Sequence, residues 1–498
     1  MMVMSLVTLV ARSTSLATRS DAVVCGLDTA RPKPSMELVV LLVVVLLGFS
    51  VLIRRSSRRA PAPPAPAVLH KISDPAVAHR VLVDNADAFS NRPVLPFFVE
   101  LAKRRGGQRN ENISTVPHGP HWRALRCNIT AETLHPSRLG LGHLAPLQRE
   151  AIQDLVAALQ STGAGAGLRD HLRAAVFRVI ARLCFGDGVD ECHVRAVCSQ
   201  VHGLQVAIGE VNPFSGPSLL AKLAEWRYQR QLLAFHARIT ELCLPLIAAR
   251  RRGPHDDDLC RPYVDILIQL RVPDGKHGGR RALSDDEIVD LVLEFLGAGS
   301  GSLVVCLEWT LAHLVVQPEV QKKLRHEVDG EAADRSHLIR GMPYLHAVIL
   351  ESLRMHPPAP VALRHVQAAE AARTLVGGGT TSDVTVLFLQ GDMGRDMKAW
   401  KDTDEFRPER FLAGGDAEGV GPLPGRKETR MMPFGAGHRF CPGVGLAMAT
   451  MKGLFELKDF HRNIGGFQSI GFFPKEAFWI KGTTPPKFLW IHSYTSIL

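Results

Sequence analysis

The sequence predicts a mainly α-helical protein with a small β portion, preceded by one N-terminal transmembrane helix. Three observations predict it. Apolar residues recur at helical spacing through several long segments between residues 144 and 316. Strand signals are few, the best being Val384–Leu389. Residues 38–53 are almost uninterrupted Leu and Val. The composition agrees with a folded chain: of 498 residues 46% are hydrophobic and 22% charged, which excludes wholesale disorder or a collagen-like fibre.

The N-terminal elements come first. With Met36 and Glu37 the apolar run spans residues 36–53, the lower end of what crosses a bilayer. Arg54, Arg55, Arg58 and Arg59 follow at once, and the positive-inside tendency then puts the rest of the chain in the cytosol. A cleaved signal peptide would carry its charge before the run and small residues after it, so a retained anchor is the better reading. Residues 1–35 form a leader with acids only at Asp21 and Asp28. It reads as an organelle transit peptide or, better, as sequence upstream of a start at Met36, because the anchor is complete without it. Residues 54–67 make a basic and Pro-rich hinge, and its Ala60–Ala67 stretch should be extended and stiff.

The body follows. Residues 144–160, 169–185 and 219–251 are rich in Leu, Ala and Arg at helical spacing. Ser284 is an N-cap with Glu287 three residues on, a capping box that opens the longest helix. That helix runs to about Val316, where Gln317-Pro318 ends it. It is apolar on nearly all faces and is therefore central.

Within it lies Gly297-Ala-Gly-Ser-Gly301. A phosphate-binding loop needs a strand before it and a fresh helix after it, whereas helix lies on both sides here. Three mid-helix glycines cost roughly 1 kcal/mol each against Ala, so close approach of a flat ligand or a local opening of the helix must justify them. Cys192, His193, Cys198 and His202 match no zinc spacing. The nine cysteines are odd in number and form no C-x-x-C pair, which fits a reducing compartment. The net charge of +10 comes with no basic run interleaved with aromatics, so no nucleic-acid partner is indicated. The strong signal is Pro433–Gly445, where Cys441 sits among glycines two residues after Arg439. Backbone N–H groups of such a loop can point at the sulfur and favour the thiolate, as does the N-terminus of the helix that begins at Val444.

Phe434-x-x-Gly437-x-Arg439-x-Cys441-x-Gly443 resembles the haem-binding signature of the cytochromes P-450, the haem-thiolate monooxygenases. Glu351-Ser-Leu-Arg354, Phe406-Arg-Pro-Glu-Arg-Phe411 and Trp122-x-x-x-Arg126 resemble three further motifs of that family, in the right order. The whole looks most like plant microsomal members. The resemblance implies the P-450 fold over residues 68–457, with haem b (iron protoporphyrin IX) as cofactor. It implies Cys441 as axial ligand of the haem iron, with Trp122, Arg126, His365 and Arg439 on the propionates. Phe434 would shield the sulfur, and Gly443 would let the next helix pack near the porphyrin. Glu351, Arg354 and Arg410 would form a structural triad behind the haem.

The resemblance further implies insertion of one oxygen atom from dioxygen into a small lipophilic substrate. Electrons would come from an NADPH-cytochrome P-450 reductase, a separate partner because no flavin or NADPH fingerprint occurs in this chain. The localisation would be the endoplasmic-reticulum membrane, single-pass, with the catalytic domain in the cytosol. Arg123, Lys427 and Arg430 are candidate docking cations for the reductase. Leu95–Thr115, Leu204–Gly216, Leu291–Leu303 and Pro360–His365 are expected pocket walls, mainly apolar and without a telling polar anchor.

The chain departs from the family pattern in places. Ala298-Gly-Ser-Gly-Ser302 stands where the family carries A-G-x-[D/E]-T beside dioxygen. Ser302 and Gly301 are thus the candidate catalytic positions: Ser302 keeps a hydroxyl, but Gly301 cannot relay protons. Slowed turnover with leakage to peroxide is expected, or else chemistry that needs no dioxygen, an isomerase or dehydratase. Several dozen residues before Ile72 are missing from the family pattern, and residues 458–498 form an atypical tail. The fold is therefore expected to be incomplete, and a degenerate, non-enzymatic product is the third reading.

Overall fold

The computed structural model describes residues 68–106, 112–139, 144–162, 167–209, 219–253, 261–274, 278–331, 342–367, 369–370, 375, 383–425 and 429–455. The expected leader, anchor and hinge at 1–67 and the tail at 458–498 lie outside them. The chain divides into two compact units, Met1–Pro66 and Ala67–Leu498, and the second is described here.

In chain order its elements are β1 (Val68–Ile72), α1 (Pro75–His79), α2 (Pro96–Arg104), α3 (Pro120–Asn128), α4 (Leu144–Thr162) and α5 (Leu168–Phe185). Then come α6 (Glu191–Gly209), α7 (Leu219–Arg252), α8 (Tyr263–Gln269), β2 (Arg271–Pro273), β3 (Arg280–Ala282) and α9 (Asp285–Val316). The series closes with α10 (Pro318–Glu331), α11 (Pro343–Met355), β4 (Val361–Val366), β5 (Val384–Leu389), α12 (Gln390–Met393) and α13 (Val444–Phe455).

The helix that the capping box predicts is α9. Ser284 Oγ accepts from the Glu287 N–H, and Glu287 reaches back to the Ser284 N–H. Two orphan donors of the first turn are satisfied in this way. α9 packs against α5, α6, α7, α8, α11 and α13, and its apolar surface on all sides is the consequence of that central place. The helix is continuous through its glycines, so the expected local opening does not occur. Neighbouring helices also crowd two of the glycines. A Cβ at Gly299 would lie 3.1 Å from Ile180 of α5, and one at Gly301 would lie 2.7 Å from Gln205 Nε2 of α6.

The β portion is small because few segments alternate. β5 is the middle strand, parallel to β1 and antiparallel to β4. Val384, Val386 and Phe388 of β5 close over Val81, Leu82 and Phe89 in a satellite core. In β4 the two-residue alternation buries Arg364 and Val366 on one face and turns His365 to the other. That alternation decides which of the two neighbours reaches the site.

Candidate functional site

The Cys441 loop is shaped by glycines. Gly435 and Gly437 take φ of 71° and 69°, and a Cβ on Gly437 would lie 2.2 Å from the Leu82 carbonyl oxygen. Only glycine fits there without moving the backbone. The Cys441 N–H donates to the Phe434 carbonyl at 2.8 Å, and α13 begins three residues later. The Gly443 N–H donates to the Cys441 sulfur. Burial pushes the Cys441 thiol up, while that N–H and the charges of Arg126 and Arg92 pull it down without overcoming burial.

The sulfur faces a cavity. Cys441, Phe434, Gly443, Leu446, Trp122 and Arg126 line it, together with Ala298, Gly299, Gly301, Ser302 and Leu303 of α9. Pro358, Ala359, Val361, Ala362, Arg364 and Gln390 contribute a further wall. Arg92, Arg126, Arg364 and Arg439 all border it. Arg439 donates from Nε to Ser90 O at 2.7 Å and from its two terminal nitrogens to Ile113 O and Val116 O, beneath the Trp122 ring. Burial, with Arg92 and Arg126 close by, lowers its pKa to about 9. Burial, then Arg92 and Arg439, hold Arg364 well below the usual guanidinium range. Arg92 Nε, Arg126 Nη2 and Trp122 Nε1 are buried without a hydrogen-bond partner.

Four buried guanidiniums and three idle N–H groups around one thiol are costly unless an anion completes them. A planar cofactor carrying two carboxylates supplies that anion, and the glycines and the α9 wall leave space for its plane. The residues present therefore fit haem.

The structure brings Cys441, Trp122, Arg126, Phe434, Arg439, Gly443, Gly301 and Ser302 to one cavity. It does not bring His365. That ring lies on the far face of β4, 3.4 Å from Asp383, and Arg364 takes the cavity place expected of it. Ser302 Oγ donates to Ala298 O at 2.8 Å within its own helix. Glu351 accepts from Arg354 at 2.7 and 2.8 Å, from Arg410 Nε at 3.0 Å and from the Arg407 N–H at 2.8 Å. All three triad side chains are fully buried. Of the docking candidates, Lys427 lies outside the described residues and Arg123 is exposed. Arg430, half-buried, donates to Ala399 O and Asp416 O and lies over the Trp400 ring.

The expected absence of a polar anchor is also corrected. A smaller adjoining cavity joins Phe97, Phe98 and Leu204 to Arg92, Asn112, Gln205 and Glu294. Glu294 accepts from the Ile113 and Ser114 N–H groups at 2.8 Å each and from the Ser114 hydroxyl, tying the 112–115 segment to α9. Burial raises its pKa, opposed by Ser114, Ile113 and Arg92. Glu294 was accessible to sequence reasoning, since it lies seven residues before Gly301 and so on the same face of α9. Arg92 and Gln205 carried no such signal.

The sequence model named Cytochrome P450 matches residues 64–457, most of the chain and all of this site. The chain belongs to the cytochrome P450 family. Cytochrome P450 89A9 of Arabidopsis thaliana is 33% identical over 397 residues, 76% of this chain and 75% of that protein. Germacrene A hydroxylase of Helianthus annuus is 27% identical over 400 residues, 76% of this chain and 75% of that protein. A zebra fish cytochrome P450 solved with progesterone shares the fold, with a TM-score of 0.62 and 22% identity, covering 83% of this chain and 90% of that one. This P450 is accordingly a plant-type oxidoreductase, a haem-thiolate monooxygenase.

Proposed function

We propose that this P450 holds haem b on Cys441 and inserts one oxygen atom into a small lipophilic substrate. The electrons come from an NADPH-cytochrome P-450 reductase at the endoplasmic-reticulum membrane, to which residues 36–53 anchor the chain. The single observation that carries the reading is the cavity in which the Cys441 sulfur meets four guanidiniums and the Gly301–Ser302 segment. Bound haem supplies dioxygen activation, and a thiolate ligand donates electron density that favours O–O cleavage.

The residues of the chain do the rest. Arg92, Trp122, Arg126 and Arg364 would hold the propionates with charge-assisted or neutral N–H donors. The Gly443 N–H and the N-terminus of α13 stabilise the sulfur as anion. Phe434 covers the sulfur from water. Ser302 keeps the one hydroxyl on this stretch of the cavity wall and passes a proton after releasing the Ala298 carbonyl. Leu291, Phe295 and Leu303 exclude bulk water from the substrate side. Glu351, Arg354 and Arg410 fix the base of α11 and the segment after it.

Membranes carrying the full chain and a plant reductase test the reading, with germacrene A and progesterone as lipophilic probes. NADPH-dependent oxygen uptake and an oxygenated product that Cys441→Ser abolishes are expected. Product formed at the same rate without NADPH would overturn it and leave an isomerase or dehydratase.

A further inference from the structure

Among the described residues Gln205 borders three cavities at once: the Cys441 cavity, the adjoining Glu294 cavity and a third on the outer side of α9. The third cavity, of about 430 Å³, lies among α5, α6 and α9. Its wall carries Arg169, Asp170, Arg173, His202 and Glu308, with ion pairs between Arg169 and Glu308 and between Arg173 and Asp170. It is polar and roomy enough for a chain of waters. Ser300 and Gly301 form its inner wall, and Gly301 also lines the Cys441 cavity. At Gly301 no side chain of α9 divides the two spaces.

The Gln205 amide fills that notch. Its Nε2 donates to Gly297 O at 2.8 Å, and its amide atoms lie 2.7 to 3.3 Å from where a Gly301 Cβ would stand. Gly301 and Gln205 are thus complementary: one supplies the gap and the other closes it. An amide does not ionise in the working pH range, but it donates and accepts at once and can hold a water on either side.

We propose that Gln205 is a positioning residue for proton supply, setting where water of the polar outer cavity meets the distal side of the Cys441 cavity, next to Ser302. The role rests on the monooxygenase reading above; the packing that underlies it does not.

The test uses full-chain Gln205→Ala, Gln205→Glu, Gly301→Ala and the Gly301→Ala/Gln205→Ala double variant. Gln205→Ala should keep the ferrous–CO spectrum and lower product per NADPH by roughly 10- to 100-fold, with the missing electrons recovered as peroxide. Gln205→Glu keeps the size, but its carboxylate loses the donor to Gly297 O, so it should not restore the yield. Gly301→Ala should lower the midpoint of thermal unfolding in the wild-type background and leave it nearly unchanged in Gln205→Ala, because the amide that meets the new methyl is gone. Unchanged product per NADPH in Gln205→Ala overturns the role. An equal thermal cost of Gly301→Ala in both backgrounds overturns the packing. No NADPH-dependent oxygen uptake in the wild type defeats the monooxygenase reading and the role with it, and the thermal comparison still decides the packing.

Discussion

Two buried clusters of arginine lie in this P450, and they behave oppositely. Around Glu351 every demand is met inside the chain. Arg354 divides its donors between Glu351 and the carbonyls of Gly394, Thr403 and Glu405. Arg410 does the same with Glu351, Lys401, Asp402 and Glu405. Around Cys441 four guanidiniums gather, Glu294 lies near three of them, Arg92, Arg126 and Arg439, and Arg92 and Arg126 keep idle N–H groups. Burial lowers the pKa of Arg92, Arg126, Arg364 and Arg439. A satisfied cluster braces a fold, whereas an overcharged one prepares a place for an anion. The residue type is the same; the accounting of hydrogen bonds separates the roles.

Five variants test this contrast. The largest effect is expected of Glu351→Ala, which strands two buried guanidiniums and should cost about 3–5 kcal/mol in urea unfolding even without haem. An unaffected haem-free protein would remove the bracing role. Next is Arg126→Ala. It should leave haem-free stability unchanged or slightly raised, since it relieves like charge, and weaken haem retention by about 1–3 kcal/mol in a competition with apomyoglobin. The third is a pair. Arg364→Ala should also weaken haem retention, by about 1 kcal/mol or more, while His365→Ala should stay within about 0.5 kcal/mol of wild type. The reverse order would return the propionate role to His365.

The smallest effect concerns Glu294. Its folded pKa is raised, so the folded chain binds the proton more tightly than the unfolded chain. The stability this adds is full below the ordinary carboxyl range and is lost as pH rises through the raised value. In the haem-free protein the stability of wild type relative to Glu294→Gln should therefore fall as pH rises through that window. A rise with pH would mean that Arg92 and the Ser114 donors outweigh burial.

Much of this was legible in the sequence. The capping box marked the start of α9, Gln317-Pro318 its end, and the glycine-flanked Cys441 pointed to the cavity. Glu351, Arg354 and Arg410 were found by pattern although 56 residues separate the last two, from Arg354 to Arg410. What stayed hidden has physical reasons. Arg364 and His365 are neighbours, and only strand phase decides which one faces the cavity. The glycines of α9 pointed to a flat ligand or a local opening, and they do line the Cys441 cavity, but two of them also meet packing partners on other helices, Ile180 and Gln205. Such distant partnerships leave no local trace. Arg92 precedes a proline in a connecting segment, where nothing in the pattern marks a cavity residue.

The central claim is that the Cys441 cavity is a haem-thiolate site completed by its arginines. The ferrous–CO difference spectrum of the full chain in membranes tests it most directly. The account predicts the red-shifted Soret band of thiolate ligation in the wild type and in Arg126→Ala at reduced amplitude, and its loss in Cys441→Ser. A wild-type chain that takes up no haem, or a red-shifted band that survives Cys441→Ser, would contradict it.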